Sequence, residues 1–230
     1  MKKLVKRVGI IGFVILIAVL TPAVCYAANN ISIDGYPDDW ANIPQTAIYY
    51  NSNNEKQWNY AAVVAEEGYI NCYVSFANFL SNSVPVIQYW ISVNGNPIVL
   101  NLNYSDSNGN IDYSMSKKLN NLSNGVNGGI SVFAGYYPIY NVGDAAIYIS
   151  NKGGTFLEFR VSIAMIEQLC GLPENTIENG ATIEFYSPIL GDQTVVVVGT
   201  STGTFVGIGI CVVVAIAIGL RHKKKVKVIL

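Results

Sequence analysis

The sequence predicts an all-β protein, an antiparallel β-sandwich with one short helix. Three observations point there. Residues 69–76, Tyr-Ile-Asn-Cys-Tyr-Val-Ser-Phe, alternate so that Ile70, Cys72, Val74 and Phe76 share one face. A period of two marks a strand with one buried side. Asn94-Gly95 stands between two further alternating runs, 86–93 and 98–104, and Asn-Gly in that setting is the strongest short-range hairpin signal. Helical patterning is confined to 162–170, so the alternating β/α units that build a parallel sheet are missing.

The elements follow in order. A short strand at 31–33 enters an Asp34-Gly35 turn, and Trp40 comes next on a tight bend. Asp34 is suited to accept turn N–H groups, and Trp40 to plug one end of the sandwich. Residues 61–65 pair with 69–76 through Glu66-Glu67-Gly68. Residues 145–149 and 155–161 form a hairpin across 151–154. Gly125, Gly128 and Gly129 read as loop glycines. Ser162 is the expected helix N-cap, with Gly171 and Pro173 as the stop. Strands at 182–187 and 194–198 complete the set. Within 86–93, Trp90 faces away from Ile87, Tyr89, Ile91 and Val93 if the alternation holds. No repeat of 20–50 residues is present.

Charge is segregated. Nine of the 14 basic residues lie at the two ends, while 29–203 keeps five of them with all 15 acidic residues, a net of −10. A domain this acidic repels nucleic acid. Residues 1–28 have the parts of a secretory signal: a basic start, an apolar run at 8–20, and the small residue Ala27, with cleavage expected after Ala27 or Ala28. Lipidation at Cys25 fits less well, because Val24 precedes it. Residues 204–220 carry no charge, and with the uncharged stretch before them they suffice to cross ~30 Å of hydrocarbon as a helix. Arg221-His222-Lys223-Lys224-Lys225 follows and sets the cytoplasmic side. The expected organisation is a signal peptide at 1–28, an extracellular β-domain at 29–198, a Gly/Ser/Thr linker at 199–203, a transmembrane helix at 204–220 and a basic cytoplasmic tail at 221–230. The expected location is the cell membrane, single-pass.

Two resemblances add to this. The Gly199-Thr-Ser-Thr-Gly-Thr204 segment, the apolar run and the basic end resemble the Firmicutes-type C-terminal sorting domain (Firmicu-CTERM) of Gram-positive surface proteins. No Leu-Pro-x-Thr-Gly precedes the run, so sortase-type wall attachment is not implied. The opening Ile33-Asp34-Gly35, Asp38-Asp39-Trp40 and Pro44 is similar to that of carbohydrate-binding module family 9-like domains, relatives of the DOMON β-sandwich. The Ala-rich strand, the Glu-Glu-Gly-Tyr turn and the late Leu157-Glu158-Phe159-Arg160-Val161 strand before a short helix agree with it. The resemblance spans 31–198. It implies a β-sandwich that binds sugars in some members, and fold likeness by itself does not name a ligand.

The chemistry is bounded by what is absent. The single His is His222, in the basic tail. The β-domain therefore lacks Ser-His-Asp or Cys-His nucleophilic sites and the usual zinc ligand sets. Covalent haem would need Cys-x-x-Cys-His, and a phosphate loop a glycine-rich motif; neither occurs. The acid pairs Asp38-Asp39 and Glu66-Glu67 sit in turns, where solvated carboxylates are the default. No enzyme activity is expected.

Two acidic segments stay open for calcium. Asp106, Asn108, Asn110 and Asp112 place oxygens at every second position, as half a calcium loop does; a plain hairpin turn on Asn108-Gly109 fits the same residues. Asp34, Asp38 and Asp39 crowd three carboxylates into six residues and need a cation or solvent. The expected cofactor is none, with calcium the exception to test. Aromatic residues remain. Trp58, Tyr60, Trp90, Tyr136, Tyr137 and Tyr140 are the candidate ligand-binding rings, because sugars stack their apolar faces on such groups; packing within the sandwich is the competing role. Cys72 and Cys170 are candidate disulfide partners. The leading expectation is a membrane-anchored binding module for a glycan. The alternatives are a structural or interaction protein partnering another surface protein, and a DOMON-like haem or redox carrier.

Overall fold

The computed structural model describes residues 31–52, 55–66, 68–77, 84–136, 140–150 and 154–199. The expected signal peptide, transmembrane helix and basic tail, and all of the linker after Gly199, lie outside the described residues. Among the described residues no helix is long and apolar enough to cross a membrane.

Among the described residues ten strands form one antiparallel sheet: β1 (Thr46–Ser52), β2 (Glu55–Glu66), β3 (Tyr69–Phe76), β4 (Tyr89–Val93), β5 (Asn96–Tyr104), β6 (Gly125–Ala134), β7 (Tyr140–Ile149), β8 (Thr155–Ser162), β9 (Thr182–Tyr186) and β10 (Val195–Val198). Their order is β1-β2-β3-β8-β7-β6-β5-β4-β9-β10. The sheet curls into a nearly closed, barrel-like form. Phe159 on β8 meets Tyr89 on β4 at 5.8 Å and Phe185 on β9 at 6.0 Å. Three strands separate β8 from β4 along the sheet, so only curvature brings these rings together.

Alternation decides the two faces. Ile70, Cys72, Val74 and Phe76 of β3 and Leu157, Phe159 and Val161 of β8 point into the main core. Tyr73 points outward with Ala62, and these join Ile31 and Trp40 in a second, smaller apolar cluster. Trp40 therefore does not plug an end. It lies fully buried against the outer face, stacked on Tyr73 at 5.3 Å.

The helix α1 (Ile163–Leu169) starts at Ser162, whose Oγ accepts the Met165 N–H at 3.4 Å, and stops before Gly171 at φ +66. Ser162→Ala should lower stability by about 0.5–1 kcal/mol, since one orphan N–H loses its acceptor; a urea titration followed by circular dichroism checks this. The β4–β5 turn is Asn94-Gly95 with φ of +49 and +82, as two-residue hairpins with two left-handed positions require.

Other expectations change as well. Residues 31–33 form no strand. β4 begins at Tyr89 rather than at 86, because Gln88 takes φ +66 and breaks the alternation, leaving Ile87 exposed. Gly125, Gly128 and Gly129 lie within β6; Gly129 at φ +70 sits in an irregularity where Asn127 pairs Ile147 and Ile130 pairs Ala145. Such an extra residue is a bulge, and a glycine accommodates it. β1 was not expected at all.

Candidate functional site

Trp58 and Tyr60 stand on the outer face of β2, alternating with buried Asn59 and Ala61. They are 51% and 42% exposed, although both are large and aromatic. Tyr49, directly opposite Trp58 on β1, brings its ring to 5.0 Å. An open depression of about 460 Å³ lies here, lined by Trp58, Tyr60, Ser75, Phe76, Ala77, Gly154 and Phe156. Register explains the grouping: Tyr60 pairs Ser75, and Ser75 pairs Phe156. The lining is mostly ring and methyl surface with few polar groups.

The other candidate rings do not join this site. Trp90 packs edge-on to Tyr136 at 6.0 Å on the outer face of β4, and five strands separate β4 from β2 along the sheet. Tyr136 is 74% exposed and Tyr140 is exposed at the start of β7. Tyr137 lies outside the described residues. Tyr49, Ser75, Phe76 and Phe156 were missed as site residues. Phe156 carried a readable signal, because it shares the polar face of its strand with Glu158 and Arg160.

The neighbouring outer face is covered by a strap, residues 31–44. Its Gly35 N–H donates to Glu158 Oε2 at 2.7 Å, and its Ile31 N–H donates to Glu66 Oε1 at 3.3 Å. Gly35 has φ +86, and a Cβ there would meet Val126 at 3.2 Å, so glycine lets the strap seat this closely. Aromatic contacts run on from Trp40 to Tyr73, from Tyr73 to Phe156 at 6.0 Å, from Phe156 to Tyr148 at 6.1 Å, and from Tyr148 to Tyr36 at 5.8 Å. Phe156 thus belongs to both the covered face and the open depression.

Glu158 is the unusual group in this interface. It is fully buried; its Oε1 and the Trp40 Nε1 make no well-formed hydrogen bond, although the indole N–H lies close enough to favour the ionised carboxyl. Burial pushes its carboxyl up to about 7. The Gly35 amide opposes that shift, Asp34 adds to it, the Trp40 indole opposes it and Asp39 adds to it. Burial also pushes the Tyr73 phenol up to about 12.

The calcium candidates spend their oxygens locally. Asp34 Oδ1 accepts the Tyr36 N–H and Asp39 Oδ2 the Ser32 N–H. Asp106 Oδ1 accepts the N–H groups of Asn108 and Asn110. Asp112 Oδ1 accepts the Ser114 hydroxyl and the Ser114 and Met115 amides. The Ser114 hydroxyl, chief among these, holds Asp112 below the usual carboxylate range. Asp38 is exposed, in the 3₁₀ turn Pro37–Trp40. Among the described residues no three His, Cys, Asp or Glu side chains converge as a metal site requires. Cys72 and Cys170 are both free thiols. Cys72 points into the core, where burial raises its thiol, and Cys170 Sγ donates to the Asn96 carbonyl from the end of α1.

Comparison with known proteins returns no match to a family model, a curated protein or a solved structure.

Proposed function

We propose that this chain is a non-catalytic binding module that takes a carbohydrate on Trp58 and Tyr60. In this reading residues 1–28 direct export, 204–220 anchor the chain in the membrane, and the acidic β-domain is displayed outside the cell. The fold is then a two-layer sandwich of the carbohydrate-binding module family 9-like and DOMON-like kind, with β1, β2, β3, β8 and β7 facing β6, β5, β4, β9 and β10.

One observation carries the ligand assignment. Two large rings, half exposed and flanked by a third, line an open apolar depression of about 460 Å³. Exposed ring faces of this kind offer stacking area at small entropic cost, since the strands already hold the side chains. A neutral sugar also suits a domain whose net charge of −10 disfavours polyanions.

A glycan array probed with the full chain in detergent tests this, run once with calcium and once with chelator. Binding to at least one polysaccharide is expected. Trp58→Ala should weaken that binding by about tenfold or more, as loss of a central aromatic anchor does, with little change in melting temperature because the side chain is exposed. Absence of binding to every glycan, or binding unaffected by Trp58→Ala, would overturn the assignment.

A further inference from the structure

We propose that the strap, residues 31–44, is a proton-governed cover: it is held closed over β3, β8 and β7 while Glu158 is neutral and loosens when Glu158 ionises. The geometry is that of a titratable tether. Hydrogen bonds from the strap backbone end on two carboxylates of the sheet, Glu158 and Glu66. Glu158 is fully buried beneath the strap; its Oε2 accepts the Gly35 N–H, and its Oε1 has only the Trp40 indole nearby, without a well-formed hydrogen bond. One amide and one poorly aligned indole do not offset the burial of a full negative charge, whereas the neutral acid is tolerated.

The charges around Glu158 give no relief. The strap contributes Asp34 and Asp39, both of which disfavour ionisation. Tyr73 on β3 is a neutral phenol. β7 places Ala146 opposite. Arg160, two residues along β8 on the same face, directs its guanidinium to Asp144 at 2.8 Å and over the Tyr69 ring at 4.6 Å.

The sign follows from linkage. Closed, the Glu158 carboxyl titrates at about 7 against 4.5 for an ordinary glutamate. The closed state therefore binds the proton more tightly, and closure weakens as pH rises from the ordinary value through the raised one, with no further loss above it. For an open strap that restores the ordinary value, the opening constant rises roughly thirtyfold between about pH 5.5 and pH 8.5. Opening would bare Tyr73 beside Phe156 and lengthen the aromatic surface that begins at Trp58. The cover stands whatever that depression binds.

Hydrogen–deuterium exchange of peptides covering 31–44 in the full chain, at these two pH values and corrected for intrinsic exchange, reads the opening constant. Protection should fall by more than tenfold in the wild type, while peptides from β5 and β6 keep theirs. In Glu158→Gln the fall should vanish. In Asp34→Asn, which removes an exposed negative neighbour, the fall should be smaller than in the wild type. Equal strap protection at both pH values in the wild type would overturn the proposal, even if Glu158→Gln failed to fold. A fall of the same size in Glu158→Gln would overturn it too. Loss of glycan binding alone would leave these readouts unchanged, so the two proposals fail separately.

Discussion

Replacing Asn59 with leucine is expected to destabilise the domain by about 4 kcal/mol, because two buried backbone groups then lose their partners at about 1–3 kcal/mol each. Asn59 is fully buried on the inner face of β2. Its Nδ2 donates to the Leu190 carbonyl and its Oδ1 accepts the Ala77 N–H, both at 2.8 Å. It therefore joins β2, the end of β3 and the turn before β10. This is the seam where the curled sheet nearly meets itself. Tyr49 N–H donates to Gln193 Oε1 at the same seam, and a Cβ on Gly191 would stand 2.3 Å from the Tyr49 carbonyl oxygen. Leucine has the same branched four-atom outline and is somewhat larger, so it leaves no cavity; the loss reports the two hydrogen bonds together with mild overpacking. Urea denaturation followed by tryptophan fluorescence measures it. A loss under about 1 kcal/mol would show that the seam relaxes to water and does not hold the sheet closed.

Gly143→Ala should have an effect of similar size, about 4 kcal/mol, above the roughly 1–3 kcal/mol typical of overpacking because the obstacle is backbone. β7 carries an extra residue here: Val132 of β6 pairs Gly143, and the next residue, Phe133, pairs Asn141. The bulge presses β7 against β8, so that a Cβ on Gly143 would lie 1.8 Å from the Arg160 carbonyl oxygen. Backbone cannot swing aside as a side chain can, so the β7–β8 ladder must open. Gly128→Ala is the matched control. Nothing lies within 4 Å of its Cβ position, and its change should stay within about 0.5 kcal/mol. Thermal melts of the two variants beside the wild type separate a specific close approach from a general intolerance of alanine in these strands.

Local chemistry was legible where a few adjacent residues decide the outcome. Asn94-Gly95 makes its turn because both positions need left-handed backbone. Ser162 and Gly171 bound α1 because a cap acceptor and a left-handed stop are single-residue requirements. The inner face of β3 could be read from Ile70, Cys72, Val74 and Phe76, since one buried side enforces a period of two. Of the candidate site, Trp58 and Tyr60 were readable as rings outside the clearest alternating runs, and both line the depression. Tyr136 was readable in the same way and Trp90 by its face of the 86–93 run, yet both lie elsewhere, because nothing in their spacing reveals the order of the strands. β6 was hidden by its glycines, which signal a loop unless a neighbouring strand shows that they form a bulge.

By itself the sequence determined the antiparallel β character, the main hairpins, the short helix and the separation of an acidic middle from basic ends. These depend on neighbours within a few residues, where sterics and hydrogen-bonding capacity leave little choice. Tertiary structure alone decided that the sheet curls until Asn59 reaches Leu190, that Phe156 joins Trp58, and that Glu158 is sealed beneath a strap 123 residues earlier in the chain. A glutamate on the polar side of an alternating strand looks solvated until something covers it. What covers it is chosen by the shape of the sheet and by a glycine small enough to approach.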